Sequence, residues 1–174
     1  GLGYVYQRQL YTKYYHPRVD KIICNSIGVE EEFRKQTFSN ARKKVVTINK
    51  GHRLEWYEDV KPADLSVFGV KPGSFVFTCV ANTRPMKGVK YIMHALHLLP
   101  KDMDFYLLMV GNGLETDEYR RVADESGYGD RVIFTGFQPN ALEIDKASDV
   151  FLLASIYGES ITKSAIEAMS LGTT

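Results

Sequence analysis

Two acidic residues near the carboxyl end of the sequence have a spacing that suits an elongated ligand. Glu159 and Glu167 lie eight residues apart, directly after the apolar run at residues 149–154. A helix over this stretch would separate them by about 12 Å and bring both side chains within roughly 80° of one face. The N–H groups that open a helix attract negative charge, so the ligand would be anionic in its middle. A nucleoside diphosphate sugar has this layout.

The same two carboxylates also have a simpler interpretation. Glu159 could cap the start of a helix, and Glu167 could be a solvated residue in its middle, since acids near helix starts are common. Against this, Glu167 follows Ala165 and Ile166 and precedes Ala168 and Met169, where a charge needs a partner. The pair does not predict the acid and base of a hydrolase, because nothing fixes the close carboxyl separation of such a site.

A second candidate site is the loop N-T-R-P-M-K-G at residues 82–88, which joins a strand-like run to a helical one. It places Arg84 and Lys87 near the amino end of the helix, where cations oppose the helix dipole. A bound phosphate would relieve that conflict. The chemistry alone leaves phosphate binding and solvated surface charge both open.

Other motifs favour structural interpretations. Gly111 and Gly113 lack a third glycine at Thr116, so the dinucleotide fingerprint of a dehydrogenase is incomplete. His94 and His97 have the spacing of two metal ligands on a helix but no accompanying cluster of further ligands, which favours a structural role.

The two cysteines and the overall composition add further bounds. Cys24 and Cys79 each lie inside a strand-like run and are predicted to be buried free thiols. Lys and Arg number 22 against 21 Asp and Glu, for a net charge of +1, which argues against a broad nucleic-acid surface. No apolar run approaches the ~20 residues of a membrane span, and no secretory signal is evident, so a cytoplasmic protein is expected.

The pattern of apolar residues predicts an α/β fold. Residues 1–16 suit an amphipathic helix, and residues 19–49 contain strand, helix and strand, before a weak stretch at 53–71 that indicates a surface connection. Strand-like runs then begin near residues 74, 104, 131 and 149, each followed by a helical pattern that ends near residues 99, 126, 147 and 171. Four such units predict a Rossmann-like parallel sheet with helices on both faces. Ligands bind beyond the carboxyl ends of such strands, which directs attention to the loops at 82–88, 111–114, 136–140 and 155–163.

Four ordered motifs resemble one family. They are V-A-N-T-R-P-M-K-G-V-K-Y, L-L-M-V-G-N-G, R-V-I-F-T-G-F and S-D-V-F-L-L-A-S-I-Y-G-E-S-I-T-K-S-A-I-E-A-M-S-L-G. Together they resemble the carboxy-terminal domain of retaining GT-B glycosyltransferases, closest to family four, from about Val45 onward. The resemblance implies one half of a GT-B fold. Residues 1–40 would be the end of the amino-terminal acceptor domain, and 41–174 the donor-binding domain, truncated at its end.

The resemblance also implies roles for individual residues. Glu167 matches the second acid of the family's E-x7-E motif, which binds the nucleotide ribose, and Glu159 matches the first, which lies beside the donor sugar. Lys87 matches the lysine that contacts the diphosphate. The N–H groups of Ser160, Ile161, Thr162 and Lys163 would hold the distal phosphate, Gly136 and Phe137 would lie along the base, and the loop containing Gly111 and Gly113 would border the donor.

Two departures from the family pattern concern the donor site. The family often has arginine where this sequence has Asn82, and Arg84 would substitute from two residues further on. The usual Gly-Phe-Gly after the first acid is replaced by Ser160, Ile161 and Thr162, so donor-sugar contacts there would differ.

The resemblance implies a glycosyltransferase that moves a sugar from a nucleotide-diphosphate sugar to a sugar, lipid-linked or polysaccharide acceptor. The donor is a co-substrate, and no metal or other cofactor is expected. The acceptor would be bound mainly by a part absent from this sequence, so the chain alone is expected to be inactive. Two alternatives remain: a nucleotide-sugar epimerase of the same architecture and a non-enzymatic α/β scaffold. The full-length protein would work in the cytoplasm, with peripheral association at the inner face of the membrane as a further option.

Overall fold

The computed structural model describes residues 14–49 and 51–174, so the amphipathic helix predicted over residues 1–16 lies almost entirely outside the described residues. The chain divides into two compact units. The first comprises the described residues up to His52 together with Gly158–Thr162, and the second comprises Arg53–Tyr157 and Lys163–Thr174. The first unit includes the strand at Val45–Thr47, which pairs with the strand at Ile22–Cys24, and the domain boundary after residue 40 stays a prediction.

The first unit contains a small parallel sheet with a helix against it. Its elements are β1 (Ile22–Cys24), α1 (Ile27–Gln36), α2 (Ser39–Arg42) and β2 (Val45–Thr47). The strands are parallel, with Ile22 opposite Val45. Cys24, Phe33, Ala41 and Val45 form its buried core. The predicted strands and helix of this region are confirmed, with shorter strands.

The second unit is built from four strand-helix repeats, as predicted. Its elements are β3 (Val76–Val80), α3 (Val89–Ala95), β4 (Tyr106–Val110), α4 (Asp117–Ser126), β5 (Val132–Gly136), α5 (Ala141–Ala147), β6 (Val150–Phe151) and α6 (Lys163–Leu171). The sheet has the order β5-β4-β3-β6, and every neighbouring pair is parallel. This confirms the Rossmann-like sheet.

Strand β4 shows why the sheet is covered on both faces. All five of its residues are buried, and they alternate between two cores. Leu107 and Met109 pack with residues of α3 and α4, whereas Leu108 packs on the other side with Ile144 of α5. Helices therefore cover both faces, as the continuous apolar run predicted.

The order of the strands creates a switch point between β3 and β6. The chain proceeds from β3 to β4 and β5 in one direction, while β6 lies on the other side of β3. Connections leaving β3 and β6 therefore diverge and leave a crevice beyond their carboxyl ends, where open α/β sheets bind ligands. The loop at residues 82–88 and the segment at residues 152–157 border this position.

Two sequence predictions are corrected by the fold. Helix α6 begins at Lys163, two residues later than predicted, so Glu159 precedes the helix and does not share a helix face with Glu167. Side chains compete with the helical backbone here: the Thr162 hydroxyl donates to Glu159 Oε2 at 3.1 Å. The stretch at 53–71 was predicted as a surface connection, but Tyr57, Leu65 and Val70 are buried.

Within the parts of the chain that the structure describes, no helix combines the length and apolar character that a membrane crossing requires.

Candidate functional site

The loop after β3 has a shape fixed by two of its own residues. The Asn82 side-chain oxygen accepts a hydrogen bond from the Arg84 backbone N–H at 3.1 Å, an Asx turn that orders the loop. Residues Pro85–Lys87 form a single 3-10 turn. Gly88 ends the turn with φ +68°, and a Cβ there would lie 1.8 Å from the Ala154 carbonyl oxygen. The loop therefore approaches the segment after β6 as closely as only glycine permits.

A hydrogen bond joins this loop to the segment after β6. The backbone N–H of Ile156 donates to the Met86 carbonyl at 2.9 Å. Met86 adjoins Lys87, so the predicted phosphate-contacting lysine lies on the loop that faces the other side of the switch point. The two loops predicted to border the ligand are thus in contact.

Glu167 on α6 has the partner that its apolar sequence context required. Lys163, one turn earlier on the same helix, contacts Glu167 Oε1 through Nζ at 2.5 Å, while the Glu167 side chain is 13% exposed. The hydrogen bond to Glu167 is the main cause that raises the pKa of Lys163. The charge of Glu167 also affects the buried Tyr57: burial raises the pKa of its phenol, and the Glu167 charge raises it further.

The placement of Lys163 breaks two rules of helix electrostatics. A cation in the first turn opposes the helix dipole, and a lysine four residues before a glutamate is the weaker orientation of such a pair. The first turn of α6 holds no acidic residue to offset this charge. The amino end of α6 therefore concentrates positive charge, which favours an anion.

A cleft of about 350 Å³ is lined in part by other residues that were predicted to bind the ligand. Asn82, Arg84 and Gly113 line it, together with Lys90 and Tyr119, whereas Lys87 and Glu167 lie elsewhere in the unit. Arg84 is exposed, so its guanidinium is available to a ligand.

The glycines after β4 allow that loop to approach the β3 loop. Gly111 has φ +152°, and a Cβ there would lie 1.9 Å from the Ala81 carbonyl oxygen. A Cβ at Gly113 would lie 3.0 Å from Thr83 Cγ2. Packing thus requires glycine at 111, and the left-handed φ of +73° favours glycine at 113, so neither position needs a dinucleotide fingerprint to explain it.

The residues predicted along the base lie at the far side of the sheet. Gly136 ends β5, and its carbonyl accepts a hydrogen bond from the Gly111 N–H at 2.9 Å. The register shifts here, since Met109 pairs with Phe134 but Val110 pairs with Gly136. Phe137 follows with a side chain that is 73% exposed, a large apolar surface next to the carboxyl end of a strand.

The remaining predicted residues, Glu159, Ser160, Ile161 and Thr162, group with the first unit. The Asn25 side-chain amide, at the end of β1, donates to the Ser160 hydroxyl at 2.8 Å. Asn25 was not predicted, and a polar residue directly after a strand was the signal that could have found it. The roles of these four residues stay predictions.

Tyr57 and Asp145, two buried residues whose ionisation is affected by Glu167, were not predicted from the sequence. Tyr57 lies in a stretch with weak periodicity, and Asp145 lies in a short, charged helix that looks solvated. Within residues 14–49 and 51–174, no group of three or more His, Cys, Asp or Glu side chains is placed to hold a metal ion.

Cys79 on β3 is expected to be unreactive in the folded protein. Its side chain is 3% exposed, and burial, followed by the charge of Asp145, raises the pKa of the thiol from 9.0 to about 12, against a lowering effect of Lys87. The thiolate fraction near pH 8 then falls by about 1000-fold. In a Cys24→Ser variant, Ellman's reagent should label no thiol in the native protein within an hour and one thiol in urea. Rapid native labelling would contradict the buried placement of β3.

Comparison with known proteins gives one family. The family model described as Glycosyl transferases group 1 matches residues 60–174. Among curated relatives, 2-deoxystreptamine glucosyltransferase of Streptomyces kanamyceticus is 34% identical over 110 residues, or 61% of this chain and 28% of the relative. Lipopolysaccharide core biosynthesis glycosyltransferase LpsE of Rhizobium meliloti (strain 1021) is 26% identical over 162 residues, or 91% of this chain and 44% of the relative.

A solved structure shares the fold. The crystal structure of Anabaena Alr3699/HepE in complex with UDP-glucose matches with a TM-score of 0.73 at 22% identity, over 88% of this chain and 43% of that one. At this identity the likeness establishes the fold. The chain spans less than half the length of each of these three proteins.

Proposed function

This chain belongs to the Glycosyl transferases group 1 family, and on that premise we propose that its second unit binds the nucleotide-diphosphate sugar donor of a glycosyltransferase. The enzyme transfers the sugar to an acceptor with retention of anomeric configuration. The donor lies over the switch point between β3 and β6, with its diphosphate near the amino end of α6 and the loop of Lys87.

The observation that carries the proposal is the ion pair of Lys163 and Glu167. The Glu167 carboxylate is only 13% exposed and is paired at 2.5 Å with a lysine at the start of a helix that is itself 61% exposed, so the buried charge is compensated while the lysine stays accessible to an anion. Glu167 can accept hydrogen bonds from the two ribose hydroxyls while Lys163 remains close to the phosphates. The solved relative bound to UDP-glucose supports a ligand with these two parts.

The reaction needs fixed positive charge at the leaving group. The bond between the anomeric carbon and the phosphate oxygen breaks, and the diphosphate leaves with the electron pair. The acceptor hydroxyl oxygen forms the new bond to that carbon, and its proton passes to the oxygen of the departing diphosphate. In our proposal Lys87, Lys163 and the N–H groups at the start of α6 meet the negative charge as it develops, while the role of Glu159 stays the one that the family resemblance implies.

The other predicted residues shape the ends of the site. Arg84 supplies a further cation in place of the family arginine, because the Asn82 side chain is already engaged in ordering the loop. Gly111 and Gly113 keep the β4 loop out of the way of the donor. Gly136 and Phe137 border the base, for which the exposed Phe137 ring offers a surface to stack on.

We further propose that the acceptor is a polysaccharide or glycolipid precursor, bound mainly by parts of the protein outside this sequence. The relative named for lipopolysaccharide core biosynthesis supports this class. The same consideration supports a cytoplasmic enzyme that meets its acceptor at the inner face of the membrane.

Calorimetric titration of the chain with UDP, GDP and ADP tests the proposal. We expect one of the three nucleotides to bind with a stoichiometry of one, because the diphosphate contacts are common to all three and the base contacts are not. Titration with the matching nucleoside, which lacks phosphate, is the control and should give at least about tenfold weaker binding. No binding by any nucleotide to a sample with folded circular dichroism would refute the proposal and favour the scaffold alternative.

A further inference from the structure

Asp145 is a buried carboxyl group that the proposed reaction does not use. It lies in the last turn of α5 and is 2% exposed. Its Oδ1 atom is buried and has no hydrogen-bond partner among the residues that the structure describes. An ionised carboxylate in such a place loses its hydration without compensation, so the neutral acid is favoured.

The groups that face Asp145 do not supply a compensating charge. From α6 its neighbour is the carboxylate of Glu167, and burial first and Glu167 second raise the pKa of Asp145 from 3.8 to about 7. From β3 its neighbour is the Cys79 thiol, whose pKa Asp145 raises in turn. Lys163 is engaged with Glu167 at 2.5 Å, and Lys146 donates to the Leu171 carbonyl at 2.6 Å.

Two hydrogen bonds keep helices α5 and α6 from moving apart to reduce the repulsion between their carboxyl groups. The Thr173 hydroxyl donates to the backbone carbonyl of Asp145 at 2.7 Å. The bond from Lys146 to Leu171 links the ends of the same two helices. These bonds hold the two helices that carry Asp145 and Glu167 together whatever the charge on the two carboxyl groups.

We infer that Asp145 is a positioning residue for Glu167: when Asp145 is in its uncharged form, which predominates in mildly acidic solution, Glu167 alone carries negative charge at this corner of the site. The inference rests on the proposed function, in which ionised Glu167 accepts hydrogen bonds from the ribose. A second carboxylate beside it would repel Glu167 and the approaching diphosphate. Nucleotide binding therefore favours the protonated form of Asp145, and by linkage the affinity falls as Asp145 ionises.

The sign of the effect follows directly. Asp145 is protonated at pH 6 and largely ionised at pH 8, so the wild-type affinity for UDP should fall over this interval by about three- to tenfold more than that of Asp145→Asn. The asparagine variant has the same size and cannot ionise. Comparison of the two proteins with the same nucleotide removes the contribution of the phosphate's own titration.

The experiment combines calorimetry with UDP at pH 6 and pH 8 and a carbon NMR titration of the aspartate carboxyls. Wild type is compared with Asp145→Asn, Glu167→Gln and the control Glu143→Gln, an exposed acid on the same helix. We expect a carboxyl resonance that titrates near pH 7, is absent from Asp145→Asn, and moves to lower pH in Glu167→Gln. The control should behave as wild type in both measurements.

Three outcomes would overturn the inference about Asp145 or distinguish its failure from that of the proposed function. Titration of Asp145 below pH 5 would overturn the inference, and so would an equal pH dependence of UDP affinity in wild type and Asp145→Asn. If Asp145→Asn does not fold, the shift of the Asp145 resonance in Glu167→Gln still decides whether the two carboxyls are coupled. If the carboxyl titrates as expected but UDP, GDP and ADP all fail to bind at either pH, the proposed function fails while the coupling stands.

Discussion

Replacement of Gly88 by alanine should destabilise the chain by several kcal/mol and abolish nucleotide binding. A Cβ at this position would lie 1.8 Å from the carbonyl oxygen and 2.8 Å from the carbonyl carbon of Ala154. Both contacts are with backbone, so no side-chain rotation can relieve them. The φ of +68° adds about 1 kcal/mol of strain for any residue other than glycine. A total near 3 kcal/mol or more is a large part of the roughly 5–15 kcal/mol that stabilises a domain.

Urea unfolding followed by circular dichroism measures this effect, with Gly69→Ala as the matched control. Gly69 also has a left-handed conformation, with φ +86°, but a Cβ there would have no atom within 4 Å. The control therefore carries only the conformational strain, about 1 kcal/mol. Equal losses of unfolding free energy in the two variants would show that the β3 loop does not contact the segment after β6 closely enough to exclude a Cβ.

Replacement of Glu167 by alanine should weaken nucleotide binding by about 10- to 100-fold. In the proposed function its carboxylate accepts hydrogen bonds from the ribose, and a hydrogen bond to a charged group contributes about 1.5–3 kcal/mol. Lys163 would lose its partner but would remain near the phosphates, so the affinity for a ligand that lacks ribose should change little. Calorimetry with the nucleotide and with inorganic pyrophosphate measures the two effects separately.

Glu125→Ala on α4 is the matched control for Glu167. Arg121 and Glu125 form an ion pair with the same four-residue spacing on a helix, at 3.9 Å, but the Glu125 side chain is 60% exposed. Loss of this pair should leave nucleotide affinity unchanged, because exposed pairs contribute little and this one is on another helix. An equal loss of affinity in both variants, or none in Glu167→Ala, would contradict the ribose-binding role.

The sheet was predictable because the apolar pattern of its central strand has one interpretation. Five consecutive apolar residues at Tyr106–Val110, followed at once by Gly111, are too short a run for a buried helix and indicate a strand covered on both faces. The partners of each strand were not predictable in the same way. Whether β6 lies beside β3 or beside β5 depends on packing among distant residues, yet this order is what brings the segment of Ile156 to the loop of Lys87.

The candidate site was predicted in part for equally physical reasons. Glu167 was identifiable because a charge among apolar residues of a helix requires a partner, and Lys163 is that partner. The start of α6 was predicted two residues too early because the Thr162 hydroxyl donates a hydrogen bond to Glu159. A local bond of this kind leaves no trace in the apolar periodicity. Asp145 was hidden by its charged surroundings, although its position two residues after the exposed Glu143 places it on the opposite face of a helix.

The hydrogen bond from Ile156 to Met86 acts together with a second one, from the Leu152 N–H to the Thr78 carbonyl at 2.7 Å. Both donors belong to the segment after β6, and both acceptors belong to β3 or its loop. The positions of the two acceptors therefore set the number of residues between the two donors. This number cannot change without the loss of one bond. Insertions and deletions among relatives should therefore fall elsewhere, for instance at residues 100–104 between α3 and β4.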